Sequence, residues 1–359
     1  MEASKKRYLF IDILRGIAVL EMIHGHTLDA LLSPSQKLSP FYTFWTHIRG
    51  YTAPLFLFSS GISFYLSTIG KEDYLFLTRP FFKRLGRIFF IILLGYTLHL
   101  PYFSLRKTLF NSTFDDVNRL LNIDILQCIG FSLLILQLLY FILRREVLFL
   151  FGNYALILLL TILAFYLIKG YDPKLPLFFS KFLKDSNFPL VPFSIYLFSG
   201  IYLGYLIKKV GEKNSSFFIF ATLSFLNYVL MRSFLMDLSD IYLKILILGI
   251  LSFLLFQFEE KKSFILRIVE VIGRESLFVY YAHLLLIYGS VFNKISLKFF
   301  FSGKLGFFEI YIIVLSLFLI FTFLSHIWNF IKKRYFLLSV LIKNFFYLYF
   351  IINFITRPY

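Results

Sequence analysis

Long apolar runs, each closed by a short charged or Pro/Gly-rich stretch, follow one another along nearly the whole chain. A helix needs about 20 mostly apolar residues to cross roughly 30 Å of hydrocarbon. On that measure about eleven spans (10–11) are expected, near 10–31, 52–69, 87–102, 121–143, 147–168, 189–207, 216–235, 241–258, 275–293, 307–330 and 336–355. The fold class this predicts is all-α, a polytopic integral membrane helical bundle forming a single transmembrane domain over 1–359. The longest connections, about 32–51, 103–120 and 169–188, are polar and offer the most material for a binding surface.

Composition agrees with that picture. Of 359 residues, 59% are hydrophobic and only 16% charged, against roughly half and a quarter in soluble domains. So much apolar surface exceeds what one core of this size could hide from water. The single cysteine, Cys128, excludes an internal disulfide and reads as a core residue. The first apolar run carries Asp12, Arg15 and two histidines and lacks a small-residue cleavage site, so no cleavable signal peptide is expected.

The net charge of +17 is read as topology, because membrane chains concentrate Lys and Arg in cytoplasmic loops. Placing the N-terminus in the cytoplasm puts 20 of the 37 Lys and Arg residues inside, among them Lys5, Lys6, Arg7, Arg79, Arg84, Arg87, Lys213, Lys261 and Lys262. Thirteen then lie outside and four within or at the edge of spans. No nucleic-acid partner is implied.

Ionisable side chains inside a span are costly unless paired or wet, which makes each a functional candidate. The first span holds Asp12, Arg15, Glu21, His24, His26 and Asp29. At 100° per residue, Arg15 and His26 share one face about 16 Å apart along the axis. Asp12 and Asp29 join that stripe within about 60°, whereas His24 falls on the opposite side. The stripe is expected to wall a hydrated cavity running from the cytoplasmic end of the helix toward the outer face. The two histidines of "HGH" are about 200° apart, which is wrong for joint chelation, and no metal-ligand cluster is seen.

Several segments then resemble one family. "IDILRG" with His26 eleven residues after Arg15, "RGYTAPLFLFSSGISFYLS" at 49–67, "NIDILQCIGFSLLI" at 122–135, "FPLVPFSIYLFSGIYLGYL" at 188–206 and "IGRESLFVYYAHLLLIY" at 272–288 occur in the order found in transmembrane acyltransferases. In particular they resemble the heparan-alpha-glucosaminide N-acetyltransferase catalytic family and its bacterial relatives. The resemblance implies transfer of an acetyl or acyl group from cytoplasmic acetyl-CoA to an extracytoplasmic acceptor, usually a sugar amine or hydroxyl. The better-known animal members place a histidine between the first two spans. Its nearest counterpart here is His47, with a shorter spacing to Pro54, and the bacterial pattern points instead to His26.

The residue positions suit such a reaction. Arg15, near the cytoplasmic end, is placed to meet CoA phosphates or an acyl carbonyl. His26, toward the outer end, is placed to deprotonate the acceptor or carry the acyl group. Asp29, one turn on, is expected to orient its ring. Arg84 and Arg87 are candidate CoA contacts that the positive-inside bias explains equally well. His47 and Arg49 are candidate acceptor contacts, and Asp124, Gln127, Ser276 and His283 candidate cavity-wall residues. His99 and His326, with no acidic partner nearby in sequence, read as packing or interfacial residues.

The expectation is a membrane-bound, acetyl-CoA-dependent acyltransferase without a metal, embedded in a lipid bilayer, with a bacterial inner membrane as its location and homo-oligomerisation left open. The alternatives are an O-acyltransferase of the related acyltransferase-three branch, or a secondary transporter using the same intramembrane Asp, Arg and His.

Overall fold

The structure is a computed structural model and describes residues 7–71, 77–171, 173–211, 214–258 and 263–357. Lys5, Lys6, Lys213, Lys261 and Lys262 of the expected inner set therefore lie outside the described residues. The described chain is helical, without strands. In order it forms α1 (Leu9–Leu31), α2 (Pro34–Lys37), α3 (Pro40–Arg49), α4 (Thr52–Thr68), α5 (Arg79–Leu98), α6 (Leu105–Phe110), α7 (Phe114–Leu120), α8 (Ile125–Leu143) and α9 (Glu146–Ile168). There follow α10 (Leu177–Leu183), α11 (Leu190–Val210), α12 (Asn214–Phe234), α13 (Ser239–Phe258), α14 (Phe264–Arg274), α15 (Ser276–Tyr288), α16 (Leu297–Phe301), α17 (Phe307–Arg334) and α18 (Phe336–Thr356).

Among the described residues seven stretches are long and apolar enough to cross a membrane: α8, α9, α11, α12, α13 with the turn before it, α17 and α18. On α9, α12, α17 and α18 the large apolar side chains are heavily exposed, for example Phe308, Phe323 and Phe345, as befits helices whose solvent is lipid, whereas α11 is mostly buried. The protein is an all-α, polytopic membrane protein. The other expected spans also fall on helices, with two corrections. The third begins at Arg79 rather than near 87, capped by the Thr78 hydroxyl and with Pro80 in its first turn, so Arg84 and Arg87 stand on α5 and not in a loop. The ninth, read as one run near 275–293, is preceded by the separate helix α14 and ends at Tyr288.

The chain divides into two compact units. The first comprises Met1–Thr52, Leu100–Arg119 and Phe258–Tyr359. At its centre is α1, with Phe10, Ile13, Leu14, Val19, Ile23, Leu28 and Leu31 fully buried. Its closest neighbour is α14. A Cβ on Gly273 would lie 1.7 Å from the Asp12 carbonyl oxygen, so only glycine permits this crossing. Such close backbone approach brings the two helices into extended van der Waals contact. The far end of α1 is tied toward α17: Ser33 N–H donates to the Leu305 carbonyl at 2.9 Å, and Phe307 N–H to Gln36 Oε1 at 2.8 Å.

The second unit comprises Ala53–His99 and Leu120–Gln257. Here α4 and α11 make the same kind of crossing, because a Cβ on Gly61 would lie 1.9 Å from the Leu197 carbonyl oxygen. Asp124 and Gln127 form a capping box at the start of α8, each satisfying a backbone N–H at the helix end.

Candidate functional site

Two histidines and a tyrosine of the first unit come together where α1 and α15 meet. His26 Nδ1 lies 3.2 Å from the Tyr288 hydroxyl, which also reaches the His26 carbonyl oxygen at 3.4 Å. The His283 ring stands 5.4 Å from the His26 ring and is fully buried. Its Nδ1 is 2.8 Å from the Val279 carbonyl one turn back, which directs Nε2 away from its own helix. That Nε2 is buried and has no hydrogen-bond partner among the described residues. Lys298 from α16 places Nζ 5.5 Å from the Tyr288 ring centre. Two imidazoles and a phenol thus meet with one ring nitrogen buried and open for a further partner.

Asp29 does not orient His26, contrary to the expectation. Its carboxylate pairs with the Arg49 guanidinium and accepts the Tyr42 hydroxyl at 3.0 Å, while Lys37 Nζ takes its backbone carbonyl. Both partners come from α3, whose start is set by Ser39 accepting the Tyr42 N–H and by Pro40 in its first turn. Burial and the adjacent carboxylate push the Tyr42 phenol above its ordinary range. Arg49 also stands 5.6 Å over the Trp45 ring. His47, on the same helix, is exposed and turned back onto the Thr43 carbonyl at 2.8 Å, so it joins no cluster.

On the opposite side of α1, as its helical angle requires, His24 packs 5.1 Å from the Trp45 ring and 5.7 Å from Tyr311. Gly25, between the two histidines, gives Trp45 room.

Near the start of α1 the charges form a network. Asp12 is buried and accepts Arg7 Nε at 2.5 Å, with Arg274 Nε at 3.6 Å. Arg274 pairs in addition with Glu270 one turn back on α14. Arg15 is half-buried within electrostatic range of Asp12 and Arg7. The guanidinium groups of Arg7, Arg15 and Arg274 gather here around the carboxylates of Asp12, Glu270 and Glu275. Glu275, at the break between α14 and α15, is buried and paired with Lys332. Ser276 opens α15 at that break, two turns from His283.

In the second unit Asp124 and Gln127 are absorbed by the capping box, and Gln127 is fully buried against Gly95. His99, read as a packing or interfacial residue, lies with Nε2 3.8 Å from the Asp124 carboxylate. Arg84 donates to the Ser67 hydroxyl at 3.0 Å and stands 5.4 Å from the centre of the Phe64 ring, whereas Arg87 is exposed. Cys128 is buried. Among the described residues no group of three or more His, Cys, Asp or Glu side chains is placed to share a metal ion.

Sequence reasoning missed Tyr288, His99 and Arg274. A tyrosine closing an apolar helix looks like an interfacial anchor, and its partner is 262 residues away. For Arg274 a signal existed: its spacing from Glu270 is that of a helical ion pair, which marks 264–274 as helix rather than loop.

No curated protein matches the chain. The family model for heparan-alpha-glucosaminide N-acetyltransferase, catalytic, matches residues 7–234, a stretch that includes α1 and runs through α12 and that stops short of His283 and Tyr288. With that match over more than half its length, the chain belongs to the heparan-alpha-glucosaminide N-acetyltransferase catalytic family, a family of membrane acetyltransferases.

Proposed function

We propose that the chain transfers an acetyl group from acetyl-CoA, used from the cytoplasmic side, to an amine or hydroxyl of a glycan or other extracytoplasmic acceptor, with His26 as the base. The observation that carries this reading is the contact of His26 with Tyr288 and His283. If the Tyr288 O–H donates to the His26 carbonyl, its oxygen is left to accept Nδ1–H, the tautomer in which Nε2 keeps its lone pair. Nε2 then takes the proton from the acceptor as the acceptor's nitrogen or oxygen bonds to the thioester carbonyl carbon. The C–S bond breaks and the proton is returned to the departing CoA thiolate. His283 Nδ1 donates to the Val279 carbonyl, so its buried Nε2 is a lone-pair acceptor that supports the same centre by taking an N–H or O–H hydrogen bond from the glycan acceptor.

In this reading Arg15 and its neighbours near the start of α1 hold the CoA phosphates. The partners are the bilayer and the glycan acceptor, and the proposed location is a bacterial inner membrane. The deciding experiment uses the purified full chain with radiolabelled acetyl-CoA and an amino-sugar acceptor. Label should pass to the acceptor in the parent and not in His26→Ala, with equal expression. Full transfer by His26→Ala overturns the role of His26. Acetyl-CoA-independent uptake of the sugar into proteoliposomes without transfer overturns the reaction itself in favour of transport.

A further inference from the structure

Glu21 and His24 take no part in the proposed reaction, yet both are ionisable residues in the middle of α1. They open into a groove of about 440 Å³ between α1 and α17. One end of the groove is polar, formed by Glu21, His24 and Tyr311. The rest is hydrocarbon: Ile17 and Leu20 on α1, Val314, Leu315 and Phe318 on α17. At 1.5 Å per residue this apolar wall runs about 6 Å from Val314 to Phe318.

The polar end is incompletely satisfied. Glu21 Oε1 accepts the Trp45 indole N–H at 3.0 Å and lies 3.8 Å from His24 Nδ1. Among the described residues the Glu21 carboxylate makes no other hydrogen bond or ion pair. His24 Nε2 is buried and equally without a hydrogen-bond partner among them. A carboxylate at this depth calls for a donor, and the only formal negative charge in the groove disfavours an anionic head. Polar groups at one end and an open hydrocarbon wall at the other have the complementarity of an amphiphile.

We propose that this groove binds a membrane amphiphile, with its hydrocarbon chain along Leu20, Leu315 and Phe318 and a hydroxyl or ammonium head donating to Glu21, with His24 Nε2 as the head's second partner. The site needs the bilayer reading of α1 and α17 but not the acetyl-transfer reading.

The test is photolabelling of the purified full chain in nanodiscs with diazirine-bearing hexadecanol, hexadecylamine and hexadecanoate, with the labelled positions read by mass spectrometry. The alcohol or the amine should label α1 and α17 around this groove at least fivefold more than the carboxylate. Leu315→Trp, a change at a lipid-facing position that fills the groove without touching Glu21, should cut that labelling at least fivefold in protein that remains monodisperse. Glu21→Gln should abolish the preference of an ammonium head and weaken that of a hydroxyl head by less, which identifies the head. His26→Ala should leave labelling unchanged, separating this site from the reaction centre. Equal labelling by all three probes, or labelling indifferent to both Leu315→Trp and Glu21→Gln, overturns the proposal.

Discussion

The Tyr288 hydroxyl touches His26 twice, at the ring nitrogen Nδ1 and at the backbone carbonyl oxygen, and so ties the imidazole to its own main chain. Removing that hydroxyl leaves the ring free to rotate and to change tautomer. In Tyr288→Phe we expect kcat to fall about 10- to 100-fold, part of the 10²–10⁴ that a positioned base contributes, with the apparent affinity for acetyl-CoA unchanged. Steady-state kinetics at varied acetyl-CoA measure both quantities.

Asp29 behaves differently because Arg49 and Tyr42 already hold its carboxylate. Asp29→Asn should leave kcat within about threefold of the parent. The pair is partly exposed, with Arg49 at 40%, so its loss should cost only about 1 kcal/mol. Thermal denaturation in detergent checks the cost, and a hundredfold fall in kcat would restore Asp29 to the reaction centre.

Asp12 is the carboxylate that Arg7 and Arg274 share, and it is itself almost fully buried. Asp12→Asn removes one negative charge from among several guanidinium groups. Breaking a fully buried pair from one side costs about 3–5 kcal/mol, and the exposure of Arg7 reduces this to about 2–3 kcal/mol. A second substitution, Arg7→Ala, should add little to the first, and the non-additivity is read from the four melting curves of the cycle.

The crossing of α1 and α14 gives a packing prediction. Gly273→Ala must separate two backbones and should cost about 1–3 kcal/mol as an overpacked contact. Gly86→Ala on α5, where the added carbon would meet open space beyond its own helix backbone, should be neutral or slightly stabilising. The difference in melting temperature between the two variants measures the contact.

Much of this organisation was legible in the chain. Apolar run length located the helices, since each run must match one bilayer thickness. The eleven-residue step from Arg15 to His26 put both on one face of α1, and the half-turn offset of His24 sent it to the other, where it meets Trp45 and Tyr311. What was hidden follows from the same physics. Arg79, Arg84 and Arg87 read as loop because they are charged, yet long cationic side chains extend along a helix end and keep it helical. The run 264–274 holds Arg267, Glu270 and Arg274, too polar to count as a span, and its place is fixed by Gly273 against α1. Asp29 was assigned to His26 on local spacing, whereas Arg49 from α3 claimed it through a contact that no helical period encodes.

The break between α14 and α15 has a consequence for how the two helices are held in place. At 1.5 Å per residue the two helices, of 11 and 13 residues, are about 16 and 20 Å long, and neither alone matches roughly 30 Å of hydrocarbon. Neither is therefore fixed in the bilayer by span length alone. Their place is supplied by α1, synthesised some 240 residues earlier and presenting the glycine-lined seat. The two short helices thus depend for their place on a contact with α1 rather than on span length, and a topology reporter fused just after Tyr288, compared between the parent and Gly273→Ala, would read that dependence.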